Sequence, residues 1–548
     1  MNVNRMILIG GVLAVLAFSM FTLRDSISET VFSITGETQA GPQITALAQL
    51  PLNLTTPPLA LEPDAAIRHT GLNPFGINTF LHQEVEGKKR IQIMELISAA
   101  GFKWIREEFS WQDIEISGRG DFVDRRNDPV RNAWNKYDQI VALAEYYDIQ
   151  IVARLSSPPN WSHAAGNAQG DFAPPDHFED YARFAAIVAG RYKGRIHYYQ
   201  LWNEPNIYPE WGEQAVDPEA YTDLLCRAYH AIKAVDPEAV IISGALAPTA
   251  ELSGRDLNDY IFLQRMYDAG AGECFDILAM QGYGLWSGPT DHRMRPLVVN
   301  YGRNQFIRDI MVKNGDAGKP IWISEMNWNT APDNVEPRYG RVTLAQQAEW
   351  VPLAYQRAQA DWPWVGVIFF WYFKRADPSW LAEQRPEAYF QMSDPDFNLM
   401  PVYETMKAYT HQPPVMHQGN HAADHWAVAY GDGWRVDGGI ARAQADAQPV
   451  RFTFEGTSIN ILFDDADHPE SAITFRVDGG KWLVVSPHVR SAVWKDWGGA
   501  HTIDIQPTGP VAIQGYIVEN SLIPAPMGMI LIAGLVIAGT GVALTRKL

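Results

Sequence analysis

From Gly71 to Thr410 short apolar runs alternate with longer amphipathic stretches. The runs are "PFGINTF", "FKWIREEFSW", "IQIVARLSSPP", "HYYQLWNEPN", "AVIISGALAP", "FDILAMQGYG", "PIWISEMNW" and "VGVIFFWYFK". Such compact apolar runs bounded by polar or Pro/Gly residues read as strands buried on both faces. Between them lie segments such as "RIQIMELISAAG", "WNKYDQIVALAEYY", "FEDYARFAAIVAGRY" and "AYTDLLCRAYHAIKAV". Their apolar residues recur at three and four, the period of a helix with one buried face. Strands alternating with helices predict an α/β fold around a parallel sheet. Eight strands are the number that closes a (β/α)8 barrel, and residues 71–411 have the length for that fold with insertions. An open doubly wound sheet would need a Gly-rich phosphate turn after its first strand, and "FGINTFLHQE" is not one.

Past Pro413-Pro414 the texture changes to alternating strand-like runs, among them "VRFTFEGTSINILF", "AITFRVDGGKWLVV" and "VAIQGYIVE". Asp478-Gly479-Gly480 is a hairpin turn signal between two of them. Residues 415–520 are therefore predicted to form a β-sandwich. Residues 25–70, with "PLNLTTPPLALEP" at their centre, lack sustained periodicity and read as a linker. The ends differ again. Met6–Leu23 and Met527–Leu544 are runs of 18 residues without a charge, near the lower limit for spanning a bilayer. Arg5 precedes the first run, and Arg546 and Lys547 follow the second, so the positive-inside rule places the bulk of the chain outside the cytoplasm. Residues 1–24 are thus expected to be an anchor or signal, and 527–544 a transmembrane segment. A membrane is the expected partner.

Charge narrows the partners further. Lys plus Arg number 44 against 63 Asp plus Glu, a net charge of −19 that repels phosphate backbones and argues against nucleic acid. Neutral polymers remain open. The two cysteines, Cys226 and Cys274, have no metal-ligand spacing, and no cofactor motif is present. Two separate buried thiols are the simpler reading, with a disulfide as the alternative in an exported domain.

In a barrel, polar residues at the C-terminal strand ends read as chemistry, because strand interiors are packed core. Here those ends carry Arg106, Glu107 and Glu108 on strand two, Trp161 beyond strand three, and Asn203-Glu204-Pro205-Asn206 on strand four. Gln281 and Tyr283 end strand six, Glu325 and Trp328 strand seven, and Trp371 strand eight. Ends four and seven face each other across a closed barrel. Two facing carboxylates, Glu204 and Glu325, are the minimum equipment for cleaving a glycosidic bond, one protonating the leaving oxygen and the other attacking carbon or activating water. Tryptophans near these ends, Trp161, Trp202, Trp211, Trp286, Trp328 and Trp371, offer flat faces to sugar rings.

"LWNEPN" and "IWISEMNW" resemble the two glutamate motifs of the clan A retaining glycoside hydrolases, over Gly71 to about Thr410. The resemblance implies Glu204 as acid/base and Glu325 as nucleophile. It implies Asn203 as a ligand of the sugar 2-hydroxyl, Arg106 as the residue orienting the nucleophile, and Tyr283 as its hydrogen-bond donor. Trp371 would floor the cleaved-sugar subsite, with Trp161 and Trp328 as further substrate contacts. The expected partner is an oligo- or polysaccharide. Many clan members place a His two residues before the sixth-strand Tyr, where this chain has Gln281. Capping the following helix is the alternative for a Glu after a strand, and Glu325, Arg106 and Tyr283 in the expected strand order outweigh it for Glu204. Glu107 and Glu108 read as ion pairs at a strand end, with Glu107 within reach of the cleft, and His163 reads equally as a cleft residue or a solvated loop residue. A cell-surface transglycosylase with the same residues and a catalytically inactive glycan-binding protein are the competing functions. Oligomeric state has no signal in the sequence.

Overall fold

Each of the eight apolar runs contains a strand. In chain order these are β1 (Phe75–Asn78), β2 (Trp104–Ser110), β3 (Gln150–Ser156), β4 (Tyr198–Leu201), β5 (Val240–Ile242), β6 (Leu278–Gln281), β7 (Ile321–Met326) and β8 (Val365–Phe370). Between and after them lie α1 (Gly87–Ala99), α2 (Trp134–Tyr146), α3 (Phe178–Arg191), α4 (Pro218–Val235), α5 (Asp259–Asp268), α6 (Asn304–Lys313), α7 (Leu344–Asp361) and α8 (Pro401–Thr410). The computed structural model describes residues 66–520 except 127, 465–471, 486–489 and 497, together with residues 31, 41, 43, 44, 47 and 59–61. Both apolar terminal runs lie outside the described residues. Among the described residues no helix is long and apolar enough to cross a membrane.

The strands pair in parallel in the order β5-β4-β3-β2-β1-β8-β7-β6. Two parallel bridges, Ile242 to Ile277 and Leu246 to Met280, span the remaining gap and leave a nearly closed TIM-like barrel. Strand alternation divides its contents. Trp104, Val152, Tyr198, Ile242, Trp322 and Val367, from six different strands, pack together as the barrel's inner lower layer. One residue type is dictated there: a Cβ on Gly76 would stand 2.5 Å from the Phe369 ring. Two residues further along β1, β2 and β4 the same inward face carries Asn78, Arg106 and Gln200, so apolar filling gives way to a polar layer toward the C-terminal face.

Residues 415–520 form two sheets, one of five strands and one of six. Phe452, Phe454, Ile503 and Ile505 of one sheet share a core with Ile459, Ile461, Ile513 and Tyr516 of the other, as a sandwich requires. The Asp478-Gly479-Gly480 turn joins Ile473–Val477 to Leu483–Val484 as an antiparallel pair. The sandwich docks on the bottom of the barrel. Trp426 packs edge-on against Phe75 at the start of β1 with centroids 5.8 Å apart, and its backbone N–H donates to the Gly71 carbonyl at 2.8 Å.

Two features differ from the simplest reading of the sequence. Cys226 on α4 and Cys274 just before β6 are joined as a disulfide. The end of the expected linker is packed rather than free: Arg308 Nε donates to the Leu61 carbonyl at 2.9 Å, and Trp322 Nε1 to that of His69 at 3.0 Å.

Candidate active site

Arg106 from within β2, Asn203 and Glu204 just past β4, and Glu325 near the end of β7 come to one place. Arg106 is the hub. Its Nη1 donates to Glu325 Oε1 and to Asn78 Oδ1, both at 2.8 Å. Nη2 donates to Asn203 Oδ1 at 2.7 Å and Nε to Gln200 Oε1 at 2.5 Å. The guanidinium is almost wholly buried, so these acceptors replace its lost hydration. Gln200 is fixed in turn through Nε2, which donates to Ser324 Oγ at 3.1 Å. The other oxygen of Glu325 accepts a 2.6 Å hydrogen bond from Tyr283 Oη. Glu325 is thereby held by a cation on one oxygen and a phenol on the other.

Glu204 is held by backbone rather than by a charge. Trp202 and Glu204 adopt left-handed conformations, φ 81° and 40°, which non-glycine residues rarely occupy. The bend is pinned by Glu204 N–H donating to the Ala245 carbonyl at 2.8 Å and by Trp202 Nε1 donating to the Glu210 carbonyl at 2.8 Å. Buried Asn206 donates to the Ala247 carbonyl and accepts from its N–H, each at 2.9 Å. The motif's second asparagine thus serves the carboxyl's aim, because the strand must leave the barrel wall abruptly.

The two carboxyls have unlike surroundings. Burial first, and then the charges of Glu325 and Glu210, push Glu204 well above the ordinary carboxylate range, against opposition from Gln281 and Arg106. Gln281 Nε2 donates to Glu204 Oε1 at 3.2 Å, so the chain's departure from histidine leaves a neutral donor on the acid/base candidate. The Oε1 of Gln281 is buried without a partner.

Several site residues had no clear sequence signal. Glu210 accepts from Asn203 Nδ2 at 3.3 Å. Burial raises its carboxyl to about 7 against the opposing field of Arg154 and the Asn203 bond. Glu210 sits in a loop beyond β4, where no period applies. Gln200 and Asn78 were legible only as inward positions, two residues on from Tyr198 and Gly76. An aromatic wall of Phe80, Tyr372 and Phe390, with Tyr283, Tyr339 and Trp371 against it, borders Glu325 through Tyr283.

Trp371 is partly exposed on this wall, 5.5 Å from Phe80. Trp161 is also partly exposed, packs edge-on against Trp111, and donates Nε1 to the Glu115 carbonyl at 2.8 Å. Trp328 differs from its expected place at the substrate. It is 0% exposed, with Nε1 donating to the Ser287 carbonyl at 2.7 Å, and its ring fills the space beside Gly284. A register shift in β7 between Ile323 and Glu325 breaks the strand's alternation, and Trp328 lies against Trp350 of α7 with centroids 5.8 Å apart. Trp202 and Trp211 are buried likewise, whereas Trp286 is exposed.

The remaining charged candidates are structural. Glu107 accepts from Thr79 Oγ1 and from the N–H groups of Leu81 and His82, tying the β1–α1 loop to β2. Burial alone would raise Glu108, but Arg154, His82 and two serines outweigh it and hold the carboxyl at about 2. His163 is buried against the Ala173 and Pro174 carbonyls.

A comparison with protein families matches residues 64–364 to Cellulase (glycosyl hydrolase family 5), more than half of the chain and both glutamate motifs. The chain belongs to that family. It is therefore a glycoside hydrolase, as the motifs implied, and the comparison supplies the family that the motifs left open. No curated protein matches. Among solved structures, a family 39 glycoside hydrolase from Bacteroides cellulosilyticus WH2 is 17% identical with a TM-score of 0.46, covering 81% of this chain and 80% of that one. A family 39 β-xylosidase from Caulobacter crescentus is 14% identical with a TM-score of 0.45, covering 82% and 98%. An exo-β-1,4-mannosidase from an Opitutaceae bacterium, strain TAV5, is 17% identical with a TM-score of 0.45, covering 64% and 63%.

Proposed function

We propose that the chain is a retaining glycoside hydrolase that works outside the cytoplasm while tethered to the membrane. The carrying observation is the opposed environments of two carboxyls on one face: Glu325 bound by Arg106 and Tyr283, Glu204 dehydrated beside like charges. A proton donor must stay protonated, which burial and the neighbouring charges favour in Glu204, while Arg106 and Tyr283 fix both oxygens of Glu325. Glu325 attacks the anomeric carbon while Glu204 protonates the departing oxygen. Glu204, now a carboxylate, then takes a proton from the water that releases the sugar. Asn203 contacts the 2-hydroxyl and Trp371 the ring face. The substrate is an oligo- or polysaccharide. Export is supported by the Cys226–Cys274 disulfide and by the two uncharged terminal runs with positive flanks.

Replacing each glutamate by alanine separates the roles. Glu325→Ala is expected to lose every substrate by several orders of magnitude. Glu204→Ala should retain far more activity on nitrophenyl glycosides than on poor leaving groups, and added azide should speed it. Products of the wild type should keep the anomeric configuration by NMR; inversion would overturn the mechanism. For placement, protease added to right-side-out vesicles should digest the barrel, and full protection would refute the topology.

A further inference from the structure

Three residues after Tyr372, the β8–α8 connection carries Arg375. Its guanidinium carbon lies 4.1 Å from the centroid of Phe80 and 3.7 Å from that of Trp380. Phe80 is the ring that packs edge-on against Trp371, 5.5 Å away. Arg375 is thus one aromatic ring removed from the proposed sugar platform. A second guanidinium, that of Arg385, stands 4.5 Å from the same Trp380 centroid. The rings orient both forks, and cation–π contact supports a positive charge without neutralising it.

Arg375 is matched differently from the other arginines of this face. Arg106 pairs with Glu325, and Arg154 with Glu108. Arg375, although only partly exposed, has no hydrogen bond and no carboxylate within 4.0 Å among the described residues. Arg385 reaches only Glu387, at 3.9 Å. That carboxylate is already engaged by Tyr339 Oη at 2.8 Å. Removing a cation from water without a counter-ion in contact is unfavourable unless something else supplies the charge. Burial depresses the Arg375 guanidinium below its usual range, against the more distant fields of Asp377 and Glu108. The net charge of −19 works against long-range attraction of a polyanion, so any anion held here is held by contact.

We propose that Arg375 and Arg385 form a subsite for an anionic substituent, the carboxylate of a uronic acid or a sulfate ester, on the sugar held at Trp371 or on the unit next to it. This rests on the glycosidase reading and gives it a substrate class: acidic rather than neutral saccharides. A carboxylate or a sulfate presents paired oxygens that the guanidinium fork of Arg375 meets with two parallel N–H donors.

The test uses 4-nitrophenyl β-glycosides in gluco, xylo and manno configuration. Each is made neutral, with a carboxylate or with a 6-sulfate where the sugar permits, on the cleaved sugar or on a unit attached to it. The full chain should show at least about tenfold higher kcat/KM for an anionic form than for its neutral counterpart, the scale of one charge-assisted hydrogen bond. Arg375→Gln should abolish that preference while leaving neutral substrates within about threefold, and Arg375→Lys should restore only part of it. Arg385→Gln gives a second reading should Arg375→Gln fold poorly. The carboxylate and sulfate arms tell the two sources apart. Equal loss on neutral and anionic substrates, or a wild type that prefers neutral ones, overturns the proposal. Binding of glucuronate, glucose 6-sulfate and glucose, followed by tryptophan fluorescence, separates this from failure of the glycosidase reading. Anion binding that depends on Arg375 without hydrolysis of any glycoside would keep the subsite and sink the enzyme assignment.

Discussion

As the proposed acid, Glu204 must be protonated, and Glu210 is one of the charges that favour that form. Glu210→Gln removes that charge but retains an oxygen for Asn203 Nδ2, so the shape of the site is preserved. The magnitude follows from the surroundings. At an effective dielectric of about 20, a unit charge in a neighbouring side chain is worth on the order of 2–3 kcal/mol. Arg106 opposes the carboxylate charges at Glu204 and cancels part of this field. Taking the cancellation as roughly half leaves about 1–1.5 kcal/mol favouring the protonated form of Glu204, a factor of about ten. Glu210 itself titrates at about 7. Well below that pH it is neutral in the wild type, and the variant should match the wild type. Above it the wild type gains a negative charge that holds the Glu204 proton, and the variant does not. The expected result is an unchanged acid side of the kcat/KM profile and an alkaline limb shifted to lower pH. Near pH 8 the loss should reach up to about tenfold. The assay is kcat/KM from pH 4.5 to 9 on a poor leaving group, where protonation matters most. A limb that stays put, or moves to higher pH, refutes the electrostatic role. A uniform drop at all pH values would instead mean that Glu210 acts by placing Asn203.

Trp328→Ala should destabilise the fold by about 3–5 kcal/mol, seen as a lower thermal midpoint, because it empties a fully buried site. Trp371→Ala should leave the midpoint nearly unchanged and lower kcat/KM roughly 10- to 100-fold, the worth of one buried apolar face. Equal behaviour of the two variants would contradict their different placement. The Cys226–Cys274 disulfide closes a segment of 48 residues, for which chain entropy gives about 4 kcal/mol; a Cys226→Ser/Cys274→Ser chain with an unshifted denaturation midpoint would refute the bond. A chain ending at His411 loses Trp426 from beneath Phe75. Its barrel should melt several degrees lower while keeping kcat on a small glycoside, and loss of kcat at a temperature where it is still folded would show that the sandwich reaches the active site.

Local periodicity carried much of this protein. The eight strands, the helices between them and the hairpin at Asp478-Gly479-Gly480 are each written within a few consecutive residues, because strand and helix bury their faces at fixed periods. The ends of β4 and β7 were legible for the same reason, and so were Glu204 and Glu325 upon them. What the sequence left open depends on residues far apart in the chain. Gln200 and Asn78 meet Arg106 only after β1, β2 and β4 have come together. Glu210 meets Asn203 through a loop with no period of its own. Cys226 finds Cys274 because α4 and the segment before β6 lie side by side on the outside of the barrel. Trp328 and Trp371 look alike at their strand ends, yet one is sealed in the wall and the other partly open. Which side of the wall a ring occupies is decided by how the neighbouring connections pack over it, and no local pattern encodes that.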